Sequence, residues 1–173
     1  MFSKTLLAAL VAILSLTFAD VAQAQHALQR TLTVDPSGNA DFSTIQAAIN
    51  SNIRIGSNPT DRFTVLIYAG TYNENVTLPG TKENVDLVGV DPQAVIIAPS
   101  SGDGIVITSG AETSRNNAIR NLTINTTTGH GIKIVHGGTP VPKNIVIDNT
   151  TINADGSGSA GIYIDEAENV LIS

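Results

Sequence analysis

Gly104-Ile105-Val106-Ile107, Gly131-Ile132-Lys133-Ile134 and Gly161-Ile162-Tyr163-Ile164 are one phrase, Gly-Ile-x-Ile, written three times along the second half of the chain. A second phrase, Asn-apolar-x-Ile, is interleaved with it at Asn121-Leu122-Thr123-Ile124, Asn144-Ile145-Val146-Ile147 and Asn169-Val170-Leu171-Ile172. Alternation of apolar and polar residues over four positions reads as a strand with one buried face. Two such strands per period, at intervals of about 23 to 30 residues, are the signature of a β-solenoid. A β-sandwich also has many short strands, but nothing in it requires one phrase to return at a near-constant interval. The chain is therefore expected to be all-β, a parallel β-helix whose isoleucines stack from coil to coil about 4.8 Å apart.

The N-terminus is set aside before any fold argument. Met1-Phe2-Ser3-Lys4 is a short positive region, residues 5–19 are mostly apolar, and Ala22-Gln23-Ala24 places small residues at the positions a signal peptidase reads. The apolar stretch is short for a membrane span of about 20 residues. Residues 1–24 are expected to be a cleaved signal peptide, with the product periplasmic or secreted and not attached to a membrane. Residues 25–173 then form the parallel β-helix domain. The chain has no cysteine, which excludes a lipoprotein anchor, disulfide staples, zinc–thiolate sites and a cysteine nucleophile. Its net charge of −6, without a basic cluster, excludes a nucleic-acid partner. The same acidity repels a polyanion except where a local basic group intervenes.

Asp41-Phe42-Ser43-Thr44-Ile45-Gln46-Ala47-Ala48-Ile49 reads as a helix start. Ser43 is the expected N-cap, Gln46 three residues on would complete a capping box, and Phe42 would staple onto the first turn. Ile45, Ile49 and Ile53 fall on one face, so an amphipathic helix is predicted across the N-terminal end of the solenoid, followed by a loop over residues 50–61. Strand runs follow at residues 63–68, 72–78, 85–88 and 94–97, with a turn at Ala69-Gly70-Thr71. Asn121, Asn144 and Asn169 are expected to stack as turn residues, their side-chain amides bonding to turn backbone or to one another. The repeat phrase at Asn169-Val170-Leu171-Ile172 has no closing cap after it, so further coils of a longer chain are expected beyond Ser173.

Residues 32–49, Leu32-Thr33-Val34-Asp35-Pro36-Ser37-Gly38-Asn39-Ala40-Asp41-Phe42-Ser43-Thr44-Ile45-Gln46-Ala47-Ala48-Ile49, resemble the opening phrase of the pectin methylesterases (pectinesterases), V-x-x-D/G-S-G-x-F-x-T-I-Q-x-A-I. Ala69-Gly70-Thr71-Tyr72-Asn73-Glu74-Asn75-Val76 is similar to that family's A-G-x-Y-x-E-x-V, and Asn84-Val85-Asp86-Leu87-Val88-Gly89 to its N-x-x-L-x-G. The resemblance covers about residues 32–100 and extends towards Asn121-Leu122-Thr123-Ile124. It implies a right-handed parallel β-helix of the pectin-lyase-like superfamily. The family's catalytic phrases do not carry over. Where a Q-A-V-A-L phrase would bring a glutamine to the oxyanion site, this chain has His130-Gly131-Ile132-Lys133-Ile134. Neither G-x-Q-D-T-L-Y, with its acid aspartate, nor D-F-I-F-G, with its nucleophilic aspartate, has a match in these residues.

The candidate chemistry is therefore read from the side chains present. Polyuronide enzymes need paired carboxylates, or calcium with a base. Asp165-Glu166-Ala167-Glu168 is the densest acidic run, and Asp165 and Glu168 are the candidate metal ligands. In an extended strand Glu166 and Glu168 would share a side and Asp165 would face away. His130 and His136 flank a strand with Lys133 on its outward face, which would suit an anionic sugar. His130, Lys133, Asp165 and Glu166 are thus the candidate substrate-binding residues, and no catalytic residue is assigned. No motif calls for a cofactor; Ca2+ is the one ion the acidic run could take. Arg115 and Arg120 bracket a polar insertion and are read as solubilising. Tyr163 is the one aromatic distant from the N-terminal coils, so an aromatic platform for sugar rings is not expected. The sequons at Asn75, Asn121, Asn125 and Asn149 receive no role. The expected protein is an exported pectin-lyase-like β-helix that acts on or binds pectin- or polyuronide-type polysaccharide. If it is an enzyme, it is a pectinesterase-like, lyase or hydrolase activity. The alternative is a non-catalytic surface β-helix, adhesin- or stalk-like.

Overall fold

The computed structural model describes residues 31–51, 62–82, 84–109, 116–137 and 141–173. The predicted signal peptide, Ile53, most of the loop over 50–61 and Arg115 lie outside these residues. The strands are β1 (Thr31–Val34), β2 (Phe63–Ile67), β3 (Gly70–Tyr72), β4 (Val76–Leu78), β5 (Val85–Gly89), β6 (Val95–Ile97), β7 (Ile105–Thr108), β8 (Ala118–Thr126), β9 (Ile132–Val135), β10 (Lys143–Ala154), β11 (Ile162–Ile164) and β12 (Glu168–Ile172). Among the described residues one helix, α1, spans Ile45–Asn50. Every ladder is parallel. The first sheet runs β1-β2-β5-β8-β10-β12; β3 and β6 join it through the second half of β8. The second sheet runs β4-β7-β9-β11. This is a parallel β-helix with an N-terminal capping helix.

Register follows the Gly-Ile-x-Ile phrase directly. Ile105 pairs with Ile132, and Ile132 with Ile162. Ile107 and Ile134 make the next inward row, and all of Ile105, Ile107, Ile132 and Ile134 are fully buried. The opposing inward row is Leu32, Val65, Leu87, Ile119 and Ile147. Each such side chain contributes roughly 1.5–3 kcal/mol by leaving water. The exposed apolar residues of the last coil are Ile164, Leu171 and Ile172.

The glycine of the phrase is a packing requirement. A Cβ on Gly131 would lie 2.7 Å from the carbonyl oxygen of Gly161 and would overlap an Ile152 methyl. At Gly161 the nearest atom to a Cβ is that same Ile152 methyl, at 3.8 Å, an ordinary contact.

The asparagines stack, but not in the expected single ladder. Asn144 accepts from the Asn169 amide at 3.0 Å, whereas Asn121 accepts from Asn149 at 2.9 Å, in a different corner of the coil. Asn116 donates to Asn84 at 2.9 Å, and Asn153 to Asn125 at 2.8 Å. Asn84, Asn121, Asn144, Asn149 and Asn169 all have φ between 45° and 56°. Asparagine tolerates this left-handed conformation best among residues with a Cβ, and its amide bridges to the next coil. The predicted 72–78 strand breaks instead at residues 73–75, because β3 and β4 belong to different sheets. Gly70, read as a turn residue, opens β3 and leaves no room for a Cβ against Pro36.

The helix start also differs from expectation. Thr44, not Ser43, is the N-cap, accepting from Ala47 N at 3.2 Å. Gln46 makes no capping box. Its Oε1 accepts from Thr77 N at 2.6 Å and its Nε2 donates to Thr77 O at 3.2 Å, so its amide pairs with the free edge of β4 as a strand would. The Glu74 carboxylate accepts from Ile45 N (2.8 Å) and Gln46 N (2.9 Å), satisfying two orphan donors of the helix. On β1, Phe42 forms a bridge with Val34, and Asp41 Oδ2 accepts from Thr33 N and Thr33 Oγ1, each at 2.8 Å. These bonds hold the Asp41 carboxyl below its ordinary range, the backbone N–H of Thr33 contributing most. A depressed carboxyl stabilises the fold above its unfolded pKa, about 4, and that contribution is lost as pH falls below it. Tyr72 is buried with its hydroxyl 2.8 Å from Tyr68 O and 3.1 Å from Val34 O. Burial first, then Asp35 and Glu74, push that phenol up to about 12, so it stays a donor.

Gly131 and Gly161 give a paired test. Gly131→Ala should destabilise the fold by several kcal/mol, an overpacking effect, while Gly161→Ala should cost less than about 1 kcal/mol. Urea unfolding of both variants checks this; equal losses would mean that the coil spacing does not depend on Gly131.

Candidate functional site

The outward row of the second sheet is Thr77, Val106, Lys133 and Tyr163, set by the register of β4, β7, β9 and β11. Lys133 Nζ lies 3.4 Å from Asp103 Oδ2 and keeps a third of its side chain exposed. Asp103 Oδ1 in turn accepts from the backbone N–H of His130 at 2.8 Å. The His130 ring stacks on Tyr163, with centroids 4.6 Å apart and planes at 19°. Tyr163 is 40 % exposed. Asp103, His130, Lys133 and Tyr163 therefore form one cluster built from three successive coils. The register places Tyr163 beside Lys133, and the His130 ring stacks on it. Asp103 and Tyr163 had no place among the candidate residues.

The structure divides the other candidates. His136 Nδ1 meets Glu166 Oε2 at 2.6 Å, and Glu168 Oε2 pairs with Lys143 Nζ at 2.8 Å. Asp165 is fixed through its backbone, Asp165 N donating to Ile134 O at 2.9 Å. The run is not one extended strand: residues 165–166 bend between β11 and β12, so the carboxylates of Glu166 and Glu168 turn to separate partners, His136 and Lys143. Among the described residues no group of three or more His, Asp or Glu side chains is placed to hold a metal ion. The His-Lys-His neighbourhood likewise separates, His130 and Lys133 meeting Asp103 and His136 meeting Glu166.

A buried carboxylate on the first sheet was missed by sequence reasoning. Asp86 is paired by both Arg62 and Arg120, the latter at 3.5 Å. Arg120 is thus part of an ion-pair network rather than a solubilising residue. The signal available was the Asp86-x-Val88 alternation, which puts Asp86 beside the arginine-bearing strands once the register is known. Another outward row of the first sheet, Thr71, Ile96, Thr123 and Thr151, carries no charge. The sequon asparagines are engaged in coil-to-coil bonds: Asn75 donates to Ser101 O and Asp103 O at 2.9 and 2.7 Å, and Asn121, Asn125 and Asn149 lie in the amide ladders.

The model of one family, described as pectinesterase, matches residues 31–154. The chain belongs to the pectinesterase family. Among solved structures it is similar to the pectin methylesterase from carrot, with 16 % identity and a TM-score of 0.41. That similarity covers 82 % of this chain and 63 % of the carrot chain, so this chain spans less than two thirds of the carrot protein's length. Comparison with curated proteins gives no match. Among the described residues, no helix is long and apolar enough to cross a membrane.

Separation of the acidic run leads to a direct expectation about calcium. Six to eight oxygens must converge on that ion, and Glu166 and Glu168 are turned to separate partners, His136 and Lys143. Millimolar calcium should leave the melting temperature of the pectinesterase-family chain unchanged, and Asp165→Asn should behave as wild type. A calorimetric titration showing micromolar binding, abolished by Asp165→Asn, would contradict this.

Proposed function

We propose that this pectinesterase-family chain is an exported protein that binds acidic pectin-type polysaccharide without hydrolysing its methyl esters. The observation that carries this reading is the outward cluster of Lys133 and the Tyr163–His130 stack on one solenoid face. Sugar rings pack their apolar faces on aromatic surfaces, and a uronate carboxylate takes a charge-assisted hydrogen bond from an ammonium group. The coil spacing of about 4.8 Å lays such groups along a line that an extended polymer follows. A stalk-like role is favoured less by this face than by the uncharged Thr71, Ile96, Thr123 and Thr151 row of the first sheet.

The catalytic side of the reading rests on sequence. His130 stands where the family's oxyanion glutamine is expected, and both aspartate-bearing phrases are missing from these residues. Export rests on the signal-peptide pattern ending at Ala24. The net charge of −6 opposes a polyanion at long range, so the contact is local and of modest affinity.

Binding of polygalacturonate and of its fully methylated ester to the purified chain tests both halves. The acidic polymer should bind better, and Lys133→Met should weaken it about tenfold, the worth of one charge-assisted hydrogen bond. No methanol should be released from the ester. Equal binding of the two polymers would overturn the charge reading, and methanol above a heat-inactivated control would overturn the non-catalytic one.

A further inference from the structure

His130 ties three successive coils together. Its backbone N–H donates to Asp103 Oδ1 at 2.8 Å, and its carbonyl accepts from Gly104 N at 2.9 Å, both on the preceding coil. Its ring Nδ1 accepts from the backbone N–H of Ala160, on the following coil, at 3.0 Å. The same ring is stacked on Tyr163. An imidazole nitrogen accepts an N–H only while it carries no proton, so the Ala160 bond requires the neutral ring with its hydrogen on Nε2.

We propose that His130 is a proton-operated latch: neutral, it holds the Ala160 N–H of the turn between β10 and β11, and protonated, it releases that N–H, while the bond from Gly131 N to Ala160 O at 3.0 Å and the β9–β11 ladder keep Tyr163 in place. The charged and titratable groups around the ring come from each element packed against it. Asp103, ahead of β7, has one carboxylate oxygen on the His130 backbone and the other on Lys133. Lys133 is the cation of β9, and Tyr163 is the titratable group of β11. The turn presents the Ala160 N–H, while Asp155 at its start is held through its own backbone N–H on Thr126 O. Asp103 is thus already engaged by two donors. An imidazolium would set its Nδ1 hydrogen against the Ala160 N–H with Lys133 nearby, and the bond that breaks is one of the two that tie Ala160 to the preceding coil. Since the latched state needs the neutral ring, the latch holds at high pH and is lost on acidification.

This inference goes beyond the polysaccharide reading and needs no sugar to test. Hydrogen exchange of the Ala160 amide, corrected for intrinsic rate, is compared at about pH 8 and about pH 5, spanning the range in which histidines titrate. The Ile105 amide, which donates to Gly131 O at 2.9 Å one coil earlier in the same wall, is the reference. Ala160 should lose at least about tenfold protection at the lower pH, the worth of one neutral hydrogen bond, while Ile105 keeps its own. His130→Gln, with a side-chain oxygen that accepts but does not titrate, should flatten the pH dependence, and His136→Gln should leave it intact. Equal Ala160 protection at both pH values would overturn the latch. So would a pH dependence that survives in His130→Gln or disappears in His136→Gln.

Discussion

A parallel coil offers unpaired N–H and C=O groups at its edge, and the first coil here meets that constraint with side chains. Gln46 places an amide carbonyl and an amide N–H on Thr77, the two groups that a neighbouring strand would contribute. Asp41 and Phe42 do the same for β1. An open edge of this kind is a template for pairing with another chain. Covering it also sets the position of α1, because Glu74, two residues beyond β3, takes the first helix donors. Ile45, Ala48 and Ile49 are then delivered into the core. The coil below and the helix above are held by one set of reciprocal bonds.

From that starting plane the rest of the solenoid is repetition under a fixed spacing. Each isoleucine of the Gly-Ile-x-Ile phrase lies on the isoleucine of the next coil, so a register slip would turn the whole row outward. Where two coils approach with backbone against backbone, only glycine fits, as at Gly131. Where the chain turns a corner with positive φ, asparagine serves twice, tolerating the conformation and bonding its amide to the next coil. The cluster on the second sheet is a consequence of the same register. Lys133 and Tyr163 hold the same position of the repeated phrase, and stacking the phrase puts them side by side.

The fold was legible because Gly-Ile-x-Ile carries its register with it: its two isoleucines stack on those of the next coil. The asparagine phrase misled because two corners of the coil use similar words. Asn121 resembles Asn144 in sequence but stacks on Asn149, which is followed by threonines instead of an apolar residue. The helix start misled for a different reason. Ser43 and Gln46 have the spacing of a local capping box, but the partner of Gln46 is Thr77, 31 residues away. The candidate site was half legible. Lys133 and His130 were singled out by residue type, whereas Asp103 joins them only through the turn ahead of β7. The acidic run looked like a site in one dimension and separates in three.

The closing role of Gln46 is the central claim, and native-state hydrogen exchange of the Thr77 amide measures it most directly. Thr77 N–H should be protected in the native chain although, among the described residues, no strand pairs with that side of β4. The Gln46→Ala substitution should expose it, lowering its protection by about ten- to a hundredfold for a lost hydrogen bond of roughly 1–3 kcal/mol. The Ile105 and Ile132 amides, bonded within the solenoid wall, should change far less. A Thr77 amide that exchanges freely in the native chain, or one as protected in the Gln46→Ala variant as in the native protein, would contradict the account.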